Sequence, residues 1–329
     1  MSRNNCTVWL LLGPRPVDNN QALALGEALA MPFTVKTLAY NWLQHLSLRL
    51  PPTLVSLNPE SSAGLRPPWP DLVVAVGRRS VPAARWIKRE SGGRSKIVRI
   101  GHPRSQADLF DLIIITRQYA IPEGDNVVLL PVTMSRFVPP PPPSAQEQKW
   151  IDALPRPIRL VAVGGPTKYW RLNAEPIVRA LAVAEGCAVA MTSRRTPPKL
   201  LKRLSEEVEA HPNARLIYGD FPSFSALLGR ADEIYVTGDS LSMLSEAVQA
   251  GKPVAIIPIE RDAKGHRRLG EAPRTSGPDA ARRDLRRFWD YLIDAGLAGT
   301  LDTGAKSATR IPRPATQAAA AVRKLLGRD

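Results

Sequence analysis

The chain has only two cysteines, Cys6 and Cys187, and neither has a ligand-spaced companion. A disulfide framework and a zinc site are thereby excluded, and a reducing cytoplasm fits best. No apolar run approaches the length of a membrane span. Val8 to Leu12 is too short for a signal-peptide core, and Gly13-Pro14 breaks it. The sequence has no Asp-x-Asp pair, so nothing marks a divalent-ion site of the kind that such pairs build. It has no Gly-x-Gly-x-x-Gly after its first strand and no Tyr-x-x-x-Lys, which argues against a nucleotide-sugar epimerase.

What is abundant is positive charge. Across 329 residues, 45 Lys and Arg face 30 Asp and Glu, for a formal net charge of +15. Such an excess favours an anionic partner. Arg261, Lys264, Arg267, Arg268, Arg274, Arg282, Arg283, Arg286 and Arg287 crowd one region, and Phe288, Trp289, Tyr291 and Leu292 follow. Basic residues running into aromatics suit an anionic membrane surface better than a nucleic-acid groove. A solvated helix face whose aromatics belong to the core produces the same pattern. The expected location is the cytoplasm, with peripheral docking on the inner membrane.

Strands and helices alternate through the first half. Strands are predicted at Thr7–Leu12, Phe33–Thr37, Leu72–Val76, Ile97–Ile100, Leu112–Ile115 and Val127–Leu130. Helices are predicted at Asn19–Ala30 and Val81–Glu90. Five prolines, Pro139 to Pro143, then read as a stiff linker. The alternation restarts with strands at Arg159–Val163, Ala188–Thr192 and Arg215–Tyr218 and helices between them. The fold class is therefore α/β, two doubly wound Rossmann-like domains facing a cleft. The divisions are a first domain at 1–138, a linker at 139–150, a second domain at 151–298 and a variable tail at 299–329. A helix near Asp284 to Ala295 is expected to pack back on the first domain.

Glu233 to Pro258 is the most informative stretch: a strand, a turn at Gly238-Asp239-Ser240, a helix capped by Ser240 or Ser242, a stop at Gly251 and a second strand. Small residues at a helix N-terminus on a sheet's carboxyl edge suit a diphosphate. Glu246, further into the helix, can accept hydrogen bonds from sugar hydroxyls. Two other strand ends offer related chemistry. Gly164-Gly165 permits close backbone approach, and Thr192-Ser193-Arg194-Arg195 brings two guanidiniums for phosphate. In the first half Asp18 lies where a loop enters the first helix and reads by itself as a cap. Gly77-Arg78-Arg79-Ser80 suits an anionic acceptor, and His102 is the best placed of the four histidines.

The run Ser-Glu-Ala followed by Ala-Gly-Lys-Pro resembles the nucleotide-sugar segment of GT-B glycosyltransferases, including the bacterial transferase that adds N-acetylglucosamine to a lipid-linked peptidoglycan precursor. That likeness implies that Glu246 binds the nucleotide ribose and that Asp18 is the base if the reaction inverts; a retaining reaction needs no such base, and the stereochemistry stays open. Asp-Asn-Asn-Gln-Ala-Leu-Ala-Leu, Gly-Arg-Arg-Ser, Thr-Ser-Arg-Arg-Thr-Pro and Val-Thr-Gly-Asp-Ser-x-Ser-Met-x-Ser-Glu-Ala occur in that order. Together they are similar to the mitochondrial fission Elm family, over roughly residues 7 to 295. The resemblance implies a metal-independent glycosyltransferase of the cell envelope. Its donor is a nucleotide-sugar and its acceptor lipid-linked or a polysaccharide, with no tightly bound cofactor. The alternatives are a non-catalytic membrane-surface adaptor of the fission type and, behind it, a nucleotide-sugar epimerase.

Overall fold

The computed structural model describes residues 6–46, 50–103, 107–120, 124–273, 282–307 and 311–328. Arg104 and Arg274 lie outside them. The chain forms two compact units, one from Met1–Arg136 with Pro312–Asp329, the other from Phe137–Ile311.

The first unit runs β1 (Val8–Leu12), α1 (Pro16–Leu29), β2 (Phe33–Thr37), α2 (Pro59–Ala63), β3 (Leu72–Val76), α3 (Val81–Glu90), β4 (Lys96–Ile100), β5 (Leu112–Thr116) and β6 (Val127–Leu130). The strands form one sheet in the order β2-β1-β3-β4-β5-β6. Every pairing in it is parallel. Such a sheet must be covered on both faces, which is why β1, β3 and β5 are buried throughout and apolar but for Thr116 at the end of β5. Val8, Leu10 and Leu12 pack on one face with Ala22, Leu25 and Leu29 of α1. Trp9, Leu11, Val73 and Ala75 pack on the other with Ala83, Ala84 and Ile87 of α3. Helix α1 begins at Pro16, three residues ahead of the predicted start, with proline in its first turn where a missing N–H costs nothing.

The second unit runs α4 (Ala145–Asp152), β7 (Ile158–Val163), β8 (Trp170–Arg171), α5 (Ala174–Leu181), β9 (Cys187–Thr192), α6 (Pro198–Ala210), β10 (Ala214–Ile217), α7 (Phe224–Arg230), β11 (Glu233–Thr237), α8 (Leu241–Gln249) and β12 (Pro253–Ile257). It continues with β13 (Glu260–Arg261), α9 (Ala263–Leu269), α10 (Arg286–Asp294), β14 (Gly299–Thr300) and β15 (Lys306–Ser307). The main sheet has the order β10-β9-β7-β11-β12-β14, parallel throughout, with β15 antiparallel to β12. Each unit is thus a doubly wound α/β structure.

Three sequence expectations change. Residues 139–150 are not all linker, because α4 starts at Ala145 on a complete capping box between Ser144 and Glu147. The tail at 299–329 is not an appendage. It supplies β14 and β15 to the second sheet, and α11 (Pro314–Leu325) to the first unit. Ala318, Ala319 and Val322 of α11 are fully buried against the α1 face of the first sheet, small side chains that allow the two helices to approach closely. The helix near Asp284 to Ala295, α10, belongs to the second unit, and α11 is the late helix that packs on the first.

Glu147 joins two helix starts. One carboxylate oxygen accepts the Ser144 N–H at 2.8 Å, and the other accepts the Ser223 N–H and hydroxyl at 2.8 and 2.6 Å. These hydrogen bonds, the Ser223 hydroxyl first, hold its pKa down at about 2, against an ordinary 4.5. A lowered folded pKa stabilises the fold above the unfolded value, and that stability is lost as pH falls. The thermal midpoint should therefore drop between about pH 4.5 and about pH 2, and drop less in Glu147→Gln. Parallel pH profiles of the two proteins would show Glu147 to be idle.

Candidate functional site

In the second sheet the chain leaves β7 toward β9 and β10 on one side, and leaves β11 toward β12 and β14 on the other. Connections that diverge from neighbouring parallel strands open a crevice at their carboxyl ends, where ligands of this fold class bind. The residues at that point are Gly164-Gly165 after β7 and Gly238-Asp239-Ser240 after β11.

Asp239 is the hub of this edge. Its side chain is wholly buried. One carboxylate oxygen accepts the Gly165 N–H at 2.9 Å and faces the Arg195 guanidinium at 3.4 Å. The other accepts the Thr237 hydroxyl at 2.7 Å. Thr237 Oγ1 in turn accepts the Gly164 N–H at 2.9 Å. Burial pushes the Asp239 carboxyl above the ordinary carboxylate range, and Thr237, Gly165 and Arg195 partly offset it. Any Cβ at Gly164 would sit 2.2 Å from Asp239 Oδ2, so glycine here admits a carboxylate of the protein itself. The Gly164 and Gly165 amides, expected to reach a diphosphate, already serve this network.

The β9 loop is riveted to the same point. Thr196 Oγ1 donates to the Gly164 carbonyl at 2.6 Å. Ser193 Oγ accepts the Arg195 N–H at 3.2 Å, and the Thr192 hydroxyl donates to the Ile217 carbonyl at 3.1 Å. The hydroxyls of Thr192 and Ser193 therefore shape the loop. Arg194 and Arg195 are exposed at its tip, and the Asp239 contact fixes Arg195 at the crevice.

Helix α8 starts beside this cluster. Ser240 stands at the N-cap position without a side-chain cap bond, contrary to the capping expected of it. The first amide bonded back into the helix is Leu244, to the Ser240 carbonyl at 3.0 Å. The amides of the first turn and the helix dipole give this end a positive character. Ser242 and Glu246 are half-buried on the first two turns.

Trp289 was missed as part of the site. Its indole N–H donates to the Gly238 carbonyl at 2.9 Å, and its ring meets Trp170 edge-on, 5.0 Å between centroids. A Cβ at Gly238 would lie 2.7 Å from that ring. Phe288 is fully buried. Of the two readings of this stretch, Phe288 and Trp289 fit the one in which the aromatics belong to the core: they are spent on the interior of the second unit and on the Gly238 turn. Arg286 of the basic stretch is also internal: it pairs with Asp284 at 2.7 Å and donates to the Leu269 and Gly270 carbonyls. No helix among the described residues is long and apolar enough to cross a membrane.

In the first unit Asp18 is the third residue of α1, past the cap position, which Arg15 holds. The sequence's cap assignment is thereby corrected. Asp18 Oδ2 is 3.9 Å from Arg15 Nη1 and 3.5 Å from where a Cβ on Gly77 would stand. Asn19 closes the preceding loop, bonding both the N–H and the carbonyl of Gly13 at 2.9 and 2.8 Å. His102 follows β4 and packs its ring against Tyr119, 5.2 Å between centroids. Among the described residues no group of three or more His, Cys, Asp or Glu is placed to hold a metal ion.

Comparison with known proteins agrees with this architecture. An archaeal UDP-GlcNAc 2-epimerase from Methanocaldococcus jannaschii superposes with a TM-score of 0.53 at 12% identity, covering 98% of this chain and 99% of that one. The Neisseria meningitidis UDP-GlcNAc 2-epimerase, solved with UDP-GlcNAc bound, gives 0.53 at 14% identity, covering 98% and 100%. The fold is thus of the GT-B type. In sequence, the mitochondrial fission protein ELM1 of Arabidopsis thaliana is 26% identical over 285 residues, 74% of this chain and 64% of the plant protein. This chain therefore spans less than two thirds of that relative's length. The family model for mitochondrial fission ELM1 matches residues 18–326, including most of the segment first read as a variable tail, and the chain belongs to that family.

Proposed function

We propose that the second unit binds a nucleotide-sugar at the β7/β11 switch point and that the protein transfers the sugar to an acceptor without a metal ion. The observation that carries this is the pairing of an α8 N-terminus lacking a side-chain cap with Arg195, which Asp239 fixes at the same edge. Helix amides and a guanidinium are what a diphosphate needs, both on binding and as a leaving group. Glu246 accepts hydrogen bonds from the ribose, and Asp18 deprotonates the acceptor hydroxyl. The lack of an Asp-x-Asp pair favours a metal-independent course.

Calorimetric titration with UDP and UDP-GlcNAc in the presence of a chelator tests the donor site. Binding in the micromolar range is expected. Glu246→Ala should weaken it by about 1–3 kcal/mol, roughly 5- to 150-fold in Kd. Unchanged affinity would remove Glu246 from the site. If none of a panel of nucleoside diphosphates binds, the adaptor reading takes over, because a docking scaffold needs no nucleotide.

Epimerisation is the second reading. Two epimerases share this fold over nearly the whole chain. The missing dinucleotide fingerprint therefore does not count against an epimerase built on this fold. Incubation with UDP-GlcNAc and no acceptor separates the two: a transferase leaves the sugar unchanged, whereas an epimerase interconverts it, visible by proton NMR.

A further inference from the structure

We propose that the first unit carries a second anion site at its own switch point, taking a phosphoryl group, either a phosphate ester or a diphosphate. The order β2-β1-β3-β4-β5-β6 sends the chain away in opposite directions after β1 and β3, so the crevice lies between these strands. Four features meet there.

Arg99, on β4, is only 4% exposed. Its Nη1 donates to the carbonyls of Ala75, at 3.4 Å, and Gly77, which draws the guanidinium to the end of β3. Gly77 has φ of +69°, and the Arg78–Ser80 turn follows it at once, bringing half-buried Arg79 to the same edge. Tyr40 covers the end of β1: a Cβ on Gly13 would lie 3.6 Å from its ring and 3.7 Å from its hydroxyl. Gly13 and Gly77 follow the neighbouring parallel strands β1 and β3, so Tyr40 lies on the same sheet edge as the arginines. Burial raises the Tyr40 phenol, while Arg79 and Arg99 pull it down. Two guanidiniums and a phenol around a glycine-lined point match the donor pattern of a phosphoryl group.

Asp18 stands at this edge too, against Gly77. A phosphorylated alcohol would present its hydroxyl to Asp18 and its phosphoryl oxygens to the arginines. Naming such an alcohol as the acceptor rests on the transferase proposed above; the anion site itself does not.

The test is calorimetry at low salt with three probes: inorganic pyrophosphate, glycerol 3-phosphate, and phosphatidylcholine vesicles carrying phosphatidic acid. Wild type, Arg79→Gln, Arg99→Lys and, as a charge control, Lys202→Gln on the exposed face of α6 are compared, with thermal melts confirming that each is folded. Arg79→Gln changes a half-buried turn residue and keeps the site testable should Arg99→Lys fail to fold. The expected result is weakening of roughly tenfold or more in Arg79→Gln and Arg99→Lys, the loss of one charge-assisted hydrogen bond, with Lys202→Gln like wild type. A loss confined to the vesicle arm assigns the phosphoryl group to a lipid, and a loss confined to the soluble probes assigns it to a free metabolite. If no probe binds wild type, or if Arg79→Gln binds every probe as wild type does, the site is overturned. UDP affinity, measured alongside, shows separately whether the donor site stands.

Discussion

Replacing Asp239 with alanine should destabilise the second unit by about 2–4 kcal/mol in urea unfolding. The carboxylate is wholly buried and receives the Gly165 N–H, the Thr237 hydroxyl and the Arg195 guanidinium. Truncation strands the Gly165 amide and opens a gap against Gly164, which lacks a Cβ only because this carboxylate is there. Each stranded donor costs roughly 1–3 kcal/mol. Asn should cost much less, because an amide oxygen can keep one of the two inward hydrogen bonds and no charge has to be buried.

The pH dependence sharpens the test. Burial raises the Asp239 pKa in the folded state. A group with a raised folded pKa gives stability that is complete below its unfolded value and lost as pH rises through the folded one. Wild type should therefore lose stability with rising pH over that window, and Asp239→Asn should lose less. Equal stability of wild type and Asp239→Ala would mean that the network carries no weight.

The limits of the sequence are clearest at this same residue. Asp239 in a Gly-Asp-Ser turn has the signature of a ligand contact, yet it faces inward. A sequence shows that a polar residue occupies a tight turn at a strand end; it does not show which side of the turn the side chain takes. Thr192 and Ser193 are alike in this, their hydroxyls bonded within the protein. Strand and helix positions were legible because buried parallel strands are apolar runs bounded by turn residues, as in β3, which Gly77 closes, and β12, which Pro258 closes. Ser144 and Glu147 have the spacing of a capping box, but the five prolines ahead of them led the whole of 139–150 to be read as linker. Helix α11 gave little signal, since its buried face is largely alanine, and alanine is neutral in any apolar pattern. Trp289 had the opposite defect. Its aromatic character was plain, but only the structure shows the missing Cβ of Gly238 that receives it.

The largest functional effect is expected from Asp18→Asn, which should lower sugar transfer roughly 10²–10⁴-fold, the range for a lost general base. Asn is nearly isosteric with Asp. At the third position of α1 the change weakens an interaction with the helix dipole, about 0.3–1 kcal/mol. The Arg15 partner is 72% exposed at 3.9 Å, and an ion pair so placed adds little. Folding and nucleotide affinity should therefore stay near wild type while turnover collapses. If Asp18 merely favours the helix start, the pattern reverses: stability shifts slightly and turnover holds. Stability, UDP affinity and transfer rate measured on one variant separate the two. Wild-type turnover would remove Asp18 from the chemistry and leave a retaining course, which needs no such base, or His102. His102 sits at the end of β4 with its ring against Tyr119, and His102→Gln would then be the variant to make.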